Sequence, residues 1–247
     1  MENGSTLGVR AITRSVVLTL SLLGFTVSAS AQSFDPQRFD GMHGAEKARA
    51  MRALGSVPAT GGAAAQYSTA SVGAVPTEPV LLLLERRRDK SSTERLADAW
   101  YYSYPRNETI HKVVDLTRGV VRSAEVVIDL QLPLVDAEIS RAFDVVLTSE
   151  AHSKALRAAY FQVTGTRLVD RSQVSYKAFV FHPDTVQDGL EPTARRCGLH
   201  RCAQMLLYTH DNIALDMSPV VDLSTNRVLQ NLELRAQAII RRKGVAR

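Results

Sequence analysis

A short hairpin motif occurs twice in the chain and strongly restricts its fold. The first copy runs from Val113 to Val121 and the second from Val220 to Leu229. In each, two β-branched residues lead into Asp-Leu-Thr or Asp-Leu-Ser, followed by Gly or Asn and a second apolar run. Valine rows favour strands, Asp and Ser or Thr bond the backbone of tight turns, and Gly or Asn tolerates positive φ. The motif predicts two hairpins in two related modules.

Four residues occupy equivalent turn positions in the two copies: Asp115 matches Asp222, and Gly119 matches Asn226. A turn Asp ordinarily satisfies backbone amides. We therefore interpret these residues as a structural turn motif and assign no catalytic role to the two carboxylates. The chain also contains no nucleophile-elbow, zinc-protease, phosphate-loop or dinucleotide fingerprint.

Residues 80–165 predict a first α+β module. Its strands are an apolar run from Val80 to Glu85, an aromatic-rich run from Leu96 to Tyr104, and the two arms of the motif, Thr109–Leu116 and Gly119–Leu130. Short connections between them predict a four-stranded antiparallel meander.

Two helices are expected to complete this module by packing on one face of its sheet. Asp136 is a suitable N-cap for the first, whose apolar face is formed by Ile139, Ala142, Phe143, Val146 and Leu147. The second spans Ser153 to Phe161 and ends before Gly165.

Residues 166–236 predict a second module on the same plan. Its strands are Val174–His182, Arg201–Thr209, Ile213–Leu223 and Arg227–Leu234. The fold class is therefore α+β, with two modules that each contain a four-stranded antiparallel meander.

The first 31 residues have the pattern of a secretory signal peptide. Arg10 and Arg14 precede an apolar run, and Ala29-Ser30-Ala31 supplies small residues for cleavage after Ala31. The apolar run is too short for a membrane anchor, and the two arginines are not adjacent, which favours general secretion over twin-arginine export. We expect a secreted or periplasmic protein with no transmembrane segment after cleavage.

Two further segments are expected to lie outside the modules. Residues 32–79 contain a short predicted helix, Ala45 to Leu54, followed by many small residues, and are interpreted as a flexible tether. Residues 237–247 form a basic tail.

The paired motif resembles the small non-catalytic N-terminal domains of copper amine oxidases. The matching residues are Val114–Val121 and Val221–Val228, with Pro133-Leu134 leading into the helix at Asp136. The resemblance implies a cystatin-like α+β fold, related to secreted PepSY modules, and an extracellular compartment.

The catalytic residues of copper amine oxidases have no counterpart in this sequence. Those enzymes form their cofactor from a Tyr that follows Asn, and they bind copper through a His-x-His pair. The chain contains no Asn-Tyr dipeptide, and its six histidines form no His-x-His. We expect no amine oxidation, no catalytic domain and no cofactor.

Cys197 and Cys202 are the only cysteines. In an exported protein two cysteines most often pair, and this spacing would close a short loop. A redox pair more usually has Cys-x-x-Cys spacing, and a metal site would need further ligands. We therefore predict a structural disulfide.

Three histidines near the second module are candidate metal ligands. We expect His182 and His210 at one end of the sheet and His200 at the other, which argues against a shared site. Surface positions are the preferred interpretation, and no metal site is assigned.

The formal net charge of +5 is too small to indicate a nucleic-acid-binding protein. Arg86–Arg88 and Arg195-Arg196 lie on corresponding connections, and parallel packing of the modules would join them in one basic edge. The leading hypothesis is a non-catalytic module that binds a protein or peptide. The alternative is an accessory metal-binding protein or an enzyme of unknown class that uses histidines and acidic residues near the second module.

Overall fold

The computed structural model describes residues 41–55, 73–88, 93–185 and 189–232. These residues fall within one compact unit. The expected signal peptide and basic tail lie outside the described residues.

The first sheet is formed by four consecutive antiparallel strands in chain order. They are β1 (Val80–Arg86), β2 (Leu96–Ser103), β3 (Glu108–Asp115) and β4 (Val120–Val127). Positive-φ residues, Asn107 among them, allow the tight connections. A β-bulge places Arg122 as an extra residue of β4 opposite β3.

The second sheet repeats this order. Its strands are β5 (Ser175–Val180), β6 (Cys202–Tyr208), β7 (Ser218–Asp222) and β8 (Arg227–Leu232). With two four-stranded antiparallel sheets and three α-helices in the described part of the chain, the predicted α+β class is confirmed.

Helix α1 (Gly44–Ala53) packs on the first sheet. Ala50 is fully buried against Ala97, Val114 and Leu116. The short helix predicted over Ala45–Leu54 is present, and it packs on the sheet because its single apolar stripe meets a complementary surface on β2 and β3.

Helices α2 (Asp136–Thr148) and α3 (Glu150–Thr164) belong to the second sheet. Helix α2 contacts all four strands, β5 to β8. The predicted boundary after residue 165 is therefore misplaced, and each sheet is preceded in the chain by its own helix. An amphipathic pattern specifies a buried face and leaves the covering sheet undetermined.

The beginning of α2 differs by one residue from the prediction. Asp136 is the first helical residue, and Val135 takes the N-cap position. Glu138 makes the capping contact, since its Oε2 accepts a hydrogen bond from the backbone N–H of Val135 at 2.9 Å. At the end of α3, Gly165 adopts φ +69° and terminates the helix as predicted.

One hydrophobic core joins the two sheets. Tyr102 and Tyr104 of the β2 end pack in the same cluster as Phe143 of α2 and Met205 and Leu207 of β6. Because all five are buried, the first sheet is fixed to the second module through its β2 end.

Candidate functional site

A groove of about 820 Å³ runs between α2 and the edge strand β5. Ile139 and Ser140 line its helical wall, and Val174, Tyr176 and Ala178 line the strand side. This volume lies within the roughly 300–1,000 Å³ typical of ligand sites in proteins. The groove is larger than the cavities beside the β2–β3 turn, beside Arg86 and beside Phe161.

Aromatic stacking builds the base of the groove. The rings of Phe143 on α2 and Tyr176 on β5 are stacked with centroids 4.3 Å apart. Because Phe143 is fully buried, Tyr176 is held against the core, and its neighbours on β5 line the opening. Alternation along a strand places Tyr176 and Ala178 on the face towards α2.

Charged side chains surround the apolar base. Arg171 is held 2.8 Å from Asp144 and lies over the Phe143 ring, 5.6 Å from its centroid. Burial raises the pKa of Asp144, and the Arg171 guanidinium opposes that rise. Lys177 is exposed on the strand side and Asp136 on the helix side. The lining of the groove therefore contributes two cations, Arg171 and Lys177, and one carboxylate, Asp136, while Asp144 pairs with Arg171 outside that lining.

The backbone edge of β5 borders the groove. Lys177 and Phe179 point away from α2, yet they line the groove together with Tyr176 and Ala178. Residues of both strand faces border a groove only where it runs along the edge of the strand. β5 pairs with β6 on one side, and no described strand pairs with its other side. An extended polypeptide can therefore add to this edge.

The four predicted turn residues occupy equivalent hairpin turns. Asp115 Oδ1 accepts the backbone N–H groups of Thr117 and Arg118, both at 2.9 Å. Asp222 Oδ1 accepts those of Ser224 and Thr225, at 2.8 and 3.2 Å. Gly119 and Asn226 adopt φ of +70° and +52°. Both carboxylates thus have a structural role in their turns.

The second oxygen of each turn carboxylate binds a different partner. Arg122 donates to Asp115 Oδ2 at 2.9 Å, and His200 Nδ1 lies 2.8 Å from Asp222 Oδ2. The N–H of Arg118 and then that of Thr117, with the Arg122 guanidinium, hold the pKa of Asp115 below its usual range. The two turns therefore differ in the partner of the second carboxylate oxygen, which is an arginine in the first module and a histidine in the second. The repeated sequence motif does not reveal this difference.

Cys197 and Cys202 form a disulfide with their Cα atoms 5.5 Å apart. Both are buried, in a small cluster with Phe181, Ala194 and Val220. The bond closes the loop that carries His200 and leads directly into β6. The disulfide is therefore packed in an apolar cluster, as is typical of a structural bond.

The expected arrangement of the three histidines is wrong. His182 lies against Gly198, in the loop that also contains His200, while His210 contacts Ser172 and Ser175 at the other end of β5. Antiparallel pairing places the end of β5 beside the start of β6, so His182 lies near His200. It also places the start of β5 beside the end of β6, where His210 lies. The conclusion that the three do not share a site is unchanged.

The single basic edge that parallel packing of the modules would form is absent from the described residues, in line with the preferred interpretation of these arginines as a solvated rim. Gly198 O accepts a hydrogen bond from Gln131 at 3.1 Å, and Leu199 lies beside Asn107, at the β2–β3 turn. Arg86 lies at the opposite end of the first sheet, where it pairs with Ala97. β2 separates the two ends by about 20 Å at strand rise. The two arginine-rich connections therefore do not meet.

Sequence reasoning missed an ionic cluster on the first sheet. His111 is buried and stacks on Trp100, with ring centroids 4.0 Å apart. Its Nε2 lies 2.7 Å from Asp98 Oδ1, and its Nδ1 lies 2.9 Å from Glu125 Oε1. Burial would raise the pKa of Asp98, but hydrogen bonds from Arg87 and His111 outweigh it and lower that pKa. These residues lie on three adjacent strands and are brought together by the register in which the strands pair. The sequence alone does not give that register.

Sequence reasoning also missed a buried ion pair between Arg201 and Glu138. Arg201 Nη2 lies 2.8 Å from Glu138 Oε2, and Tyr104 donates its hydroxyl hydrogen to Glu138 Oε1. The Leu132 and Pro133 carbonyls accept further bonds from Arg201, at 2.9 and 3.0 Å. Burial raises the pKa of Tyr104, so its hydroxyl remains a donor. The network satisfies the guanidinium and joins both modules.

The part of the chain that the structure describes contains neither a metal-binding group nor a membrane-spanning helix. In the ranges described, no group of three or more His, Cys, Asp or Glu residues could hold a metal ion. No helix in these ranges has the length and apolar character needed to cross a membrane.

Comparison with known proteins gives a likeness to solved structures and none to a family or a curated protein. No protein-family model and no curated protein matches the chain. Among solved structures, a copper-containing benzylamine oxidase from Hansenula polymorpha aligns over 64% of this chain and 26% of that chain. The identity is 13% and the TM-score is 0.43, which indicates a weak fold resemblance and nothing about activity.

Proposed function

We propose that the protein is a non-catalytic interaction module that binds an extended segment of a partner protein in the groove between α2 and β5. The observation that supports this most directly is the open edge of β5 beside an apolar groove. The partner backbone would pair with β5, and an apolar side chain would enter beside Ile139. Strand addition of this kind combines main-chain hydrogen bonds with side-chain pockets.

A random peptide display library tests this function directly. We expect enrichment of peptides with alternating apolar residues, which bind with Kd values on the order of micromolar. The variant Ile139→Lys introduces a charge into the apolar groove and should weaken binding by at least about tenfold. Ile213→Lys, at a half-exposed site outside the groove, is the matched control.

Two outcomes would contradict the proposal. One is a library that yields no enriched sequence class against the folded protein. The other is equal binding by wild type and Ile139→Lys when both melt at the same temperature. Either outcome would remove the groove as a peptide site.

We also propose that the protein acts outside the cytoplasm. The leader pattern that ends at Ala31 supports export, and the Cys197–Cys202 disulfide is compatible with an oxidising compartment. Intact-mass measurement of protein from the extracytoplasmic fraction should give a chain that begins at Gln32. Recovery of the uncleaved chain only from the cytoplasm would contradict this localisation.

A further inference from the structure

Strand β4 is an edge strand that is exposed on both faces. Every residue from Val120 to Val126 is exposed, whereas the paired residues His111, Val113 and Val114 of β3 are buried. Val126 is 52% exposed, and Ile128, just beyond the strand, is 80% exposed. β4 pairs with β3 on one side, and no described strand covers its other side. Apolar edges of this kind readily pair with another strand.

The sequence of β4 is self-complementary when it is read in opposite directions. Val120-Val121-Arg122-Ser123 is followed by Ala124-Glu125-Val126-Val127. Reversal of the second half matches Val with Val at both ends and brings Glu125 next to Arg122. Cross-strand pairs of valines and of opposite charges stabilise antiparallel strands. A second copy of this chain therefore supplies the chemistry that the edge requires.

The bulge at Arg122 permits the register that this complementarity needs. A two-fold axis between identical antiparallel strands must place one residue opposite its own copy. With Ala124 on the axis, Ser123 lies opposite Glu125 of the other copy. The extra residue Arg122 then shifts the register by one, which sets Val121 opposite Val126 and Val120 opposite Val127.

Arg122 and Glu125 lie on the same face of the sheet despite their spacing of three residues. Arg122 contacts Asp115, and Glu125 contacts His111. Asp115 and His111 are four residues apart on β3, so their side chains share one face. The bulged arginine of one copy and the glutamate of the other therefore meet on that face. Glu125 is two-thirds exposed, and in the pair it exchanges its contact with His111 for one with Arg122 of the other copy.

We propose that β4 pairs antiparallel with β4 of a second copy of this chain, about a two-fold axis at Ala124. The first sheets of the two copies then form one continuous eight-stranded sheet. Arg122 already binds Asp115 and Glu94 within its own chain, and Glu125 of the other copy adds a further carboxylate beside each of the two guanidinium groups. This surface is separate from the α2–β5 groove, and dimerisation does not depend on peptide binding.

Charge variants at the axis test the dimer. In β3, Lys112 lies opposite Ala124, so Ala124→Glu gains a favourable neighbour within one chain but faces a second glutamate across the axis. Sedimentation equilibrium should give a dimer for wild type and a monomer for Ala124→Glu. Ala124→Lys should also be monomeric, and an equimolar mixture of the two variants should recover the dimer mass.

A cross-linking variant keeps the test decisive if a charge variant folds poorly. Cysteines opposite each other on paired strands have Cα atoms within about 4.4–6.8 Å, the range that a disulfide needs. Ala124→Cys should therefore form a covalent dimer under air oxidation, and Ser123→Cys, displaced from the axis, should form much less. A wild type that remains monomeric at about 1 mM would overturn the proposal, since even a millimolar Kd would then be excluded. Equal cross-linking of the two cysteine variants would also overturn it.

Discussion

Arg201 and Glu138 form an ion pair whose side chains are only 0% and 3% exposed to solvent. Arg201 comes directly before β6, and Glu138 lies in the first turn of α2. Two charges removed from water are stable only when each is fully hydrogen-bonded. The carbonyls of Leu132 and Pro133 and the Tyr104 hydroxyl complete that requirement.

Removal of the negative partner should be severely destabilising. We expect Glu138→Gln to lower the free energy of unfolding by about 3–5 kcal/mol, because it leaves the buried Arg201 unpaired. Urea denaturation measures the change. The double variant Glu138→Gln with Arg201→Met should recover part of the loss, because no buried charge remains. A loss below about 1 kcal/mol in the single variant would show that the pair is accessible to water.

Charge at the hairpin valines should also disrupt the fold. Val114 and Val221 are fully buried, each within a hydrophobic cluster. Val114→Asp and Val221→Asp should each destabilise by several kcal/mol, roughly 3 or more. Val169→Asp is the matched control because Val169 is 84% exposed. An unchanged thermal melt for either core variant would contradict the packing described above.

Acid should weaken the attachment of α1 to the first sheet. Arg95 holds the Glu46 carboxylate, and its hydrogen bond lowers the pKa of Glu46 from 4.5 to about 2. A lowered pKa contributes stability above the unfolded value, which disappears as pH falls from about 4.5 to about 2. The contribution is at most ~1 kcal/mol, because the pair is partly solvated.

The variant Glu46→Gln isolates this contribution. Wild type should be more stable than the variant at pH 6, and their unfolding free energies should converge near pH 2. Urea titrations at pH 6, 4, 3 and 2 give the comparison. A difference that stays constant over this range would mean that Glu46 acts through packing.

The disulfide should contribute modestly to stability. The sequence separation is 5, and closure of so short a loop is worth about 2 kcal/mol in the chain-entropy model. Replacement of both cysteines by Ser should lower the unfolding free energy by that amount. Thiol titration of the denatured, unreduced protein should find no reactive thiol, and reactive thiols in freshly isolated protein would contradict the bond.

The strands were predictable because their information is local. The valines, the turn Asp and the positive-φ residue all lie within one hairpin, so Val113–Val121 determines its own geometry. The partner of α2 was not predictable. Its apolar face fits any sheet of suitable width, and only the tertiary structure places Phe143 on β5 and β6.

The groove between α2 and β5 was harder to predict from the sequence than the strands were. The groove depends on β5 lying at the edge of its sheet, a property of strand order that no residue in Ser175–Val180 encodes. The exposure of β4 has the same origin. The burial of Arg201 is not predictable from its neighbours in the sequence, because the carbonyl groups that accept its hydrogen bonds lie about seventy residues away.

The Arg201 network has a consequence for how the two modules can evolve. Such repeats usually remain exchangeable, so that either can be duplicated, deleted or expressed alone. Here the Arg201 guanidinium bonds the connecting segment at Leu132, and its partner Glu138 accepts a hydrogen bond from Tyr104 of the first module. A fragment that starts after Pro133 would bury a cation without its carbonyl acceptors. Separation of the two modules would therefore leave this buried pair without some of the partners that offset its desolvation.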